Sequence, residues 1–135
     1  MIRMLGLAGI LWLCGLSPGM AMPELWQALR SGEAVALMRH AEAPGTGDPA
    51  GFRLDDCSTQ RNLSAEGRAQ AARLGERFRS NGIAGAEIRS SAWCRGRDTA
   101  TGLGLGPVQI APSLGGLART RGIETVVVAP RGRFR

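Results

Sequence analysis

Five consecutive apolar residues, Ala34-Val35-Ala36-Leu37-Met38, run unbroken between Glu33 and Arg39. A strand with no polar residue in alternation is covered on both faces, the habit of parallel strands in α/β sheets. Parallel strands need long crossover connections, usually helices. The chain has 135 residues, room for one such domain.

The flanking sequence fits that plan. Pro23 to Arg30 places apolar residues at 25, 26, 28 and 29, and Gly32 follows as a helix stop. From Ala41 to Asn62 periodicity vanishes. Pro44, Gly45, Gly47, Pro49 and Gly51 make a loop longer than compact domains usually carry, the kind that is functional or mobile. Leu63-Ser64-Ala65-Glu66-Gly67 opens the next helix, with Ser64 as N-cap, Leu63 as staple and Glu66 at the positive end. Ala69, Ala72, Leu74 and Phe78 form its apolar stripe. Arg68, Arg73, Arg77 and Arg79 sit mostly off it, and Asn81-Gly82 ends it. Glu87 to Ser91 reads as a second strand and Trp93 to about Thr101 as a helix, stopped by the Gly-rich segment 102–107. Val108 to Ala111 reads as a third strand, and Val126-Val127-Val128 within Ile123–Ala129 as a fourth. Alternating strands and helices imply an α/β fold.

Composition narrows the chemistry. All seventeen cationic residues are Arg; there is no Lys, no Tyr and a single His, His40. One His cannot build a Cys2His2 zinc site or a paired-His metal helix. Without Lys there is neither Schiff-base chemistry nor a Walker-type phosphate loop. The net charge of +6 is uneven. Residues 22–114 balance eleven Arg against ten acids, whereas residues 115–135 carry five Arg against Glu124 alone. Such a basic tail can bind nucleic acid or anionic lipid. The plain reading is a solvated terminus, since no recognition motif accompanies the charge.

Residues 1–21 have the layout of a secretory signal peptide: Arg3, the apolar stretch Met4–Leu16, the breaker Ser17-Pro18-Gly19, and Gly19-Met20-Ala21 as a cleavage site. An uncleaved anchor or a buried helix is the alternative. The apolar stretch falls short of the roughly 20 residues a span needs. Cleavage after Ala21 leaves Cys57 and Cys94, which in an exported chain allow one disulfide; two separate thiols is the alternative.

Arg39-His40 follows directly on the first strand, at the edge where open α/β sheets bind ligands. A guanidinium grips phosphate through two oxygens. A neutral imidazole can attack phosphorus and carry the phosphoryl group. Ser90-Ser91-Ala92-Trp93-Cys94-Arg95 repeats the layout, with an Arg past a strand end at a helix start, where anions are favoured. The residue pattern leaves two readings open, a phosphoryl site or an ordinary polar pair at a strand end.

Three segments carry a resemblance. Leu37-Met38-Arg39-His40-Ala41-Glu42-Ala43 resembles the Arg-His signature of the histidine phosphatase superfamily, phosphoglycerate-mutase-like branch. Leu63-Ser64-Ala65-Glu66-Gly67-Arg68-Ala69-Gln70-Ala71 is similar to that family's helix start, and Ser90 to Ala100 to its segment with the second Arg. The three occur in the family's order and cover about residues 33–112. The resemblance implies a three-layer sandwich with a mostly parallel sheet flanked by helices, here partial. It implies His40 as phosphoacceptor, Arg39 and Arg95 as phosphate ligands, and Arg61 or Asn62 as further candidates for the pocket. It implies no metal or organic cofactor. The family's layout puts Cys57 and Cys94 beside the pocket, which supports their pairing.

The resemblance also marks what is missing. The family uses a second, later His and an acidic residue as general acid, and nothing after Ser113-Leu114 matches it. The expectation is a partial domain over residues 22–114, with 115–135 a basic tail to which no fold is assigned. A chain cut short, its tail read in another frame of a GC-rich gene, accounts for this; a diverged short member is the alternative. The functional expectation is an exported, periplasmic or secreted, phosphomonoester hydrolase or phosphoryl-transfer protein of impaired activity. Its partner would be a phosphorylated small molecule or a phosphoprotein, with no specific nucleic acid and no stable membrane span after cleavage. The competing readings are a non-catalytic module that binds phosphate or phosphoprotein, and a tail that binds nucleic acid or anionic lipid.

Overall fold

The computed structural model describes residues 21–115 and 126–129. The expected leader, residues 1–21, lies outside the described residues apart from Ala21. Most of the basic tail is likewise outside them. Helix α1 spans Ala21–Ser31, strand β1 Ala36–Met38, helix α2 Ala65–Ser80 and strand β2 Glu87–Ser90. Helix α3 spans Cys94–Gly102, strand β3 Val108–Ile110 and strand β4 Val126–Ala129.

The strands form one sheet in the order β1-β4-β2-β3. β2 and β3 pair in parallel, with Ile88 opposite Val108. β4 pairs antiparallel with both neighbours, placing Val128 between Ala36 and Ile88. β1, β2 and β3 therefore point one way and share a C-terminal edge, as a mostly parallel sheet requires; β4 alone opposes them. The strand expected within Ile123–Ala129 is thus part of the sheet, which draws on chain beyond the boundary placed at residue 114.

Alternation decides which face is covered. Ala36, Met38, Ile88, Val108 and Val128 join one apolar cluster with Phe78 of α2, with Ala100 of α3 and with Leu103 just past its end. Trp26 and Leu29 of α1 pack on the same cluster, the Trp26 ring edge-on to Phe78 at 5.4 Å between centroids. The three helices among the described residues thus lie over one sheet face, so these residues form two layers of the sandwich. Leu37, pointing the other way, is 65 % exposed.

Helix α2 starts where the sequence places it. Ser64 caps it, its hydroxyl accepting from the Gly67 N–H at 2.9 Å. Its first turn presses on the chain just past β1. A Cβ on Gly67 would lie 2.1 Å from the Glu42 carbonyl oxygen, so only glycine lets the helix approach this closely. Glu42 O also accepts from Ser64 N–H at 3.1 Å, and Gln70 Oε1 accepts from Glu42 N–H at 2.9 Å. These bonds fix the backbone two residues beyond His40. Gly67→Ala is expected to destabilise the protein by about 1–3 kcal/mol, the usual range for overpacking. A urea midpoint shifted at constant slope would register it; an unchanged midpoint would show that the approach is not tight.

Candidate active site

β1 ends at Met38, so Arg39 and His40 emerge at the shared C-terminal edge of β1, β2 and β3. His40 is partly buried, and its Nδ1 lies 2.6 Å from its neighbour's carbonyl, Ala41 O. A carbonyl only accepts, so Nδ1 donates, and the neutral ring then carries its lone pair on Nε2. The following N–H, of Ala41, donates to the Thr99 hydroxyl at 2.9 Å, and that hydroxyl donates to Arg95 O at 2.7 Å. The two residues that follow His40 are thus tied to α3 and α2.

Arg39 and His40 line a pocket of about 460 Å³ with Ala41, Gln70, Ala71, Arg73, Leu74, Arg77 and Thr99. Among the described residues, no carboxylate lines it. Three guanidiniums around an imidazole make it a site for anions.

Arg95 is placed differently. It is 3 % exposed, and its guanidinium meets the Asp48 carboxylate in a two-pronged pair, Nη1 to Oδ1 at 2.6 Å and Nη2 to Oδ2 at 3.0 Å. Nη1 also donates to Arg61 O at 3.1 Å. Asp48 further accepts from Arg61 N–H at 3.0 Å and from the Trp93 indole at 3.1 Å. Burial alone would raise the Asp48 pKa. The bonds from Arg95, Arg61 and Trp93, with the charge of Arg95, outweigh burial and hold it below the usual carboxylate range.

Arg61 and Asn62 do not line the His40 pocket; they brace the long loop. Arg61 donates to Gly47 O at 2.8 Å and also to Ala43 O. Asn62 donates to Cys57 O at 2.7 Å. Gln60, 6 % exposed, takes the role a cap residue would play for α3, its Oε1 accepting from Cys94 N–H at 2.9 Å. Cys57 and Cys94 form a disulfide across a sequence separation of 37 residues. The loop is therefore held by that bond, by Asp48, and by Phe52 against the Trp93 ring.

The structure thus brings Arg39 and His40 together, and separately Cys57 with Cys94. It sets Arg95, Arg61 and Asn62 in a neighbouring polar cluster around Asp48. Asp48, Gln60, Gln70, Arg73, Arg77 and Thr99 were not among the expected site residues. The spacing of Gln70, Arg73 and Arg77 puts them on one helix face, which relates them to one another but not to His40. For Asp48 no local signal exists, since its partner lies 47 residues along the chain. The tail arginines Arg119, Arg121, Arg131, Arg133 and Arg135 lie outside the described residues.

Residues 35–116 match the family model described as histidine phosphatase superfamily (branch 1). No curated protein and no solved structure matches the chain.

Proposed function

The chain belongs to the histidine phosphatase superfamily (branch 1), a membership that supports phosphoryl transfer in general; on that premise we propose that it is an exported phosphomonoester hydrolase or phosphoryl-transfer protein working through a phosphohistidine at His40, with an impaired catalytic set. The observation that carries this reading is the tautomer. With Nδ1–H committed to Ala41 O, Nε2 holds the nucleophilic lone pair in a pocket lined by cations. Nε2 attacks phosphorus, the bond from phosphorus to the leaving oxygen breaks, and the leaving group takes its proton from water. Water then attacks phosphorus, the bond from phosphorus to Nε2 breaks, and phosphate leaves with the imidazole restored. Arg39 neutralises the phosphoryl oxygens in both steps. Arg95 stands beside the pocket rather than in its lining, with three N–H bonds to Asp48 and Arg61 O; it supports the site through its carbonyl, which accepts from the Thr99 hydroxyl that holds the Ala41 N–H next to His40.

Impairment follows from what the pocket lacks. There is no second His anywhere in the chain, and among the described residues no carboxylate lines the pocket to protonate the leaving group. One preorganised donor is worth about 10²–10³ in rate, and a general acid about 10²–10⁴. Esters with good leaving groups, such as p-nitrophenyl phosphate, are therefore the substrates on which turnover survives. Export is supported by the leader-like residues 1–21 and by the disulfide, which persists in oxidising compartments. The partner is a phosphorylated small molecule or phosphoprotein.

The test is trapping. Labelled p-nitrophenyl phosphate is expected to leave an acid-labile, base-stable label on wild type and none on His40→Ala. Phosphate binding without any label would overturn catalysis. It would favour the non-catalytic binding-module reading, with Arg39 as the phosphate ligand in the pocket. A label that persists in His40→Ala would remove His40 as nucleophile.

A further inference from the structure

A neutral imidazole has one N–H and one bare nitrogen, and in water it favours the proton on Nε2. The form held by His40 is the opposite one. In a protein, the hydrogen bond made by one ring nitrogen decides where the proton sits. Here that bond runs from Nδ1 to Ala41 O at 2.6 Å, so the aim of a single carbonyl sets which nitrogen is nucleophilic. A carbonyl one residue along the chain is a poor anchor by itself, because rotation on either side of the Ala41 Cα swings it away from the ring.

Both rotations are blocked from elsewhere in the fold. The peptide group before the Ala41 Cα is held through its N–H, which donates to the Thr99 hydroxyl at 2.9 Å. The peptide group after it carries the carbonyl that receives Nδ1–H, and its N–H, on Glu42, donates to Gln70 Oε1 at 2.9 Å. Thr99 is itself fixed. Its hydroxyl hydrogen goes to Arg95 O at 2.7 Å, one turn back in α3, which leaves a lone pair for Ala41 N–H. Thr99 and Ala41 are both buried, so water does not replace that bond. Gln70 is exposed, and water replaces its bond in part. A peptide group whose N–H is engaged also has a more polarised carbonyl, which strengthens the bond to Nδ1.

We infer that Thr99, with Gln70 in a smaller part, is a positioning residue: by locking the two peptide groups around Ala41 it keeps His40 in the Nδ1–H tautomer and so keeps Nε2 bare. The inference rests on the phosphoryl-transfer reading for what Nε2 does, while the tautomer is a property of the resting protein and is measured without substrate.

The chain has one His, so NMR of isotope-labelled imidazole nitrogens in the full chain gives one pair of resonances, whose shifts separate the protonated nitrogen from the bare one. In the neutral ring of wild type, Nδ1–H is expected to dominate. Thr99→Val keeps the side-chain shape and removes the hydroxyl. It is expected to move the tautomer ratio toward Nε2–H by about tenfold, the equivalent of one hydrogen bond. Thr99→Ser restores the hydroxyl and is expected to keep the wild-type ratio; Gln70→Ala is expected to shift it in the same direction as Thr99→Val, by less. Ile88→Val loosens the core away from these bonds and is expected to leave the tautomer unchanged. The rate of phosphohistidine formation from p-nitrophenyl phosphate is expected to fall in step with the Nδ1–H fraction, while affinity for inorganic phosphate is held. Circular dichroism verifies the fold of each variant; should Thr99→Val not fold, Gln70→Ala carries the test, and an unchanged tautomer there overturns the inference. So does a wild-type ring protonated on Nε2, a folded Thr99→Val with the wild-type ratio, or an equal shift in Ile88→Val. If the tautomer responds as expected and no phosphohistidine forms, the catalytic reading fails alone. If phosphohistidine forms and the tautomer ignores Thr99 and Gln70, the positioning role fails alone.

Discussion

Asp48→Ala is expected to destabilise the protein by about 3–5 kcal/mol, the cost of stripping one partner from a buried ion pair. The Arg95 and Asp48 side chains are 4 % and 8 % exposed, and the carboxylate receives four hydrogen bonds, from Arg95 twice, Arg61 N–H and the Trp93 indole. Removing it leaves a buried guanidinium without its counterion, an indole N–H and a backbone N–H, all desolvated. Small domains hold only about 5–15 kcal/mol in total, so the loss is a large share. Replacing both partners by apolar residues, Asp48→Leu with Arg95→Met, is expected to recover much of it, because no charge is then stranded. Urea midpoints of the two single variants and the double one measure this. A double variant as unstable as the sum of the singles would show that the pair is not the cause.

The same pair sets a pH dependence. Asp48 titrates lower in the folded protein than the unfolded value of about 3.9. Folding therefore favours its ionised form, and the stabilisation is fully present above the unfolded value. It is lost as the pH falls through the lower folded value. Wild-type stability should drop below about pH 4, and Asp48→Asn should flatten that drop.

Much of this architecture was readable from the sequence because it rests on local pattern. The apolar run at 34–38 became β1 over Ala36–Met38, and the Ser64 cap opened α2 at Ala65. Glu87–Ser90, Cys94–Gly102 and Val108–Ile110 fall within a residue of their expected bounds. Sheet order was not readable in this way. Periodicity describes one strand at a time, whereas the position of β4 between β1 and β2, and its reversed direction, come from pairings across the whole chain. The site divides along the same line. Arg39 and His40 were visible because a strand end and its next two residues are contiguous. Arg95 carries the expected identity, but Asp48, far off in the loop, decides where its guanidinium lies. Arg73 and Arg77 look like solvated surface on a helix read in isolation; only the fold shows that their face closes the pocket of His40.

The disulfide should matter about as much as the ion pair, and for a related reason. Closing a loop across the 37-residue separation of Cys57 and Cys94 removes denatured-state entropy worth about 4 kcal/mol on the chain-entropy estimate. It also acts on the native site. Cys57 opens the short 3-10 turn Cys57–Thr59, and Cys94 is the first residue of α3, next to Arg95. The bond thus fastens the loop that carries Asp48 to the helix that carries Arg95. Cutting it lets the loop separate from α3, with Asp48, Gln60 and Phe52 leaving their partners together. Cys57 is exposed while Cys94 is 1 % exposed, so reductant reaches the bond from the Cys57 side. Reduction of the wild type, or Cys57→Ser with Cys94→Ser, is expected to lower stability by about 2–5 kcal/mol. The reduced protein should also lose most of the cost of Asp48→Ala, because a loosened loop no longer buries the pair. A thermodynamic cycle of Asp48→Ala with and without reductant measures that coupling. If the two losses simply add, the disulfide acts on the denatured chain alone, and the loop keeps its grip on Arg95 without it.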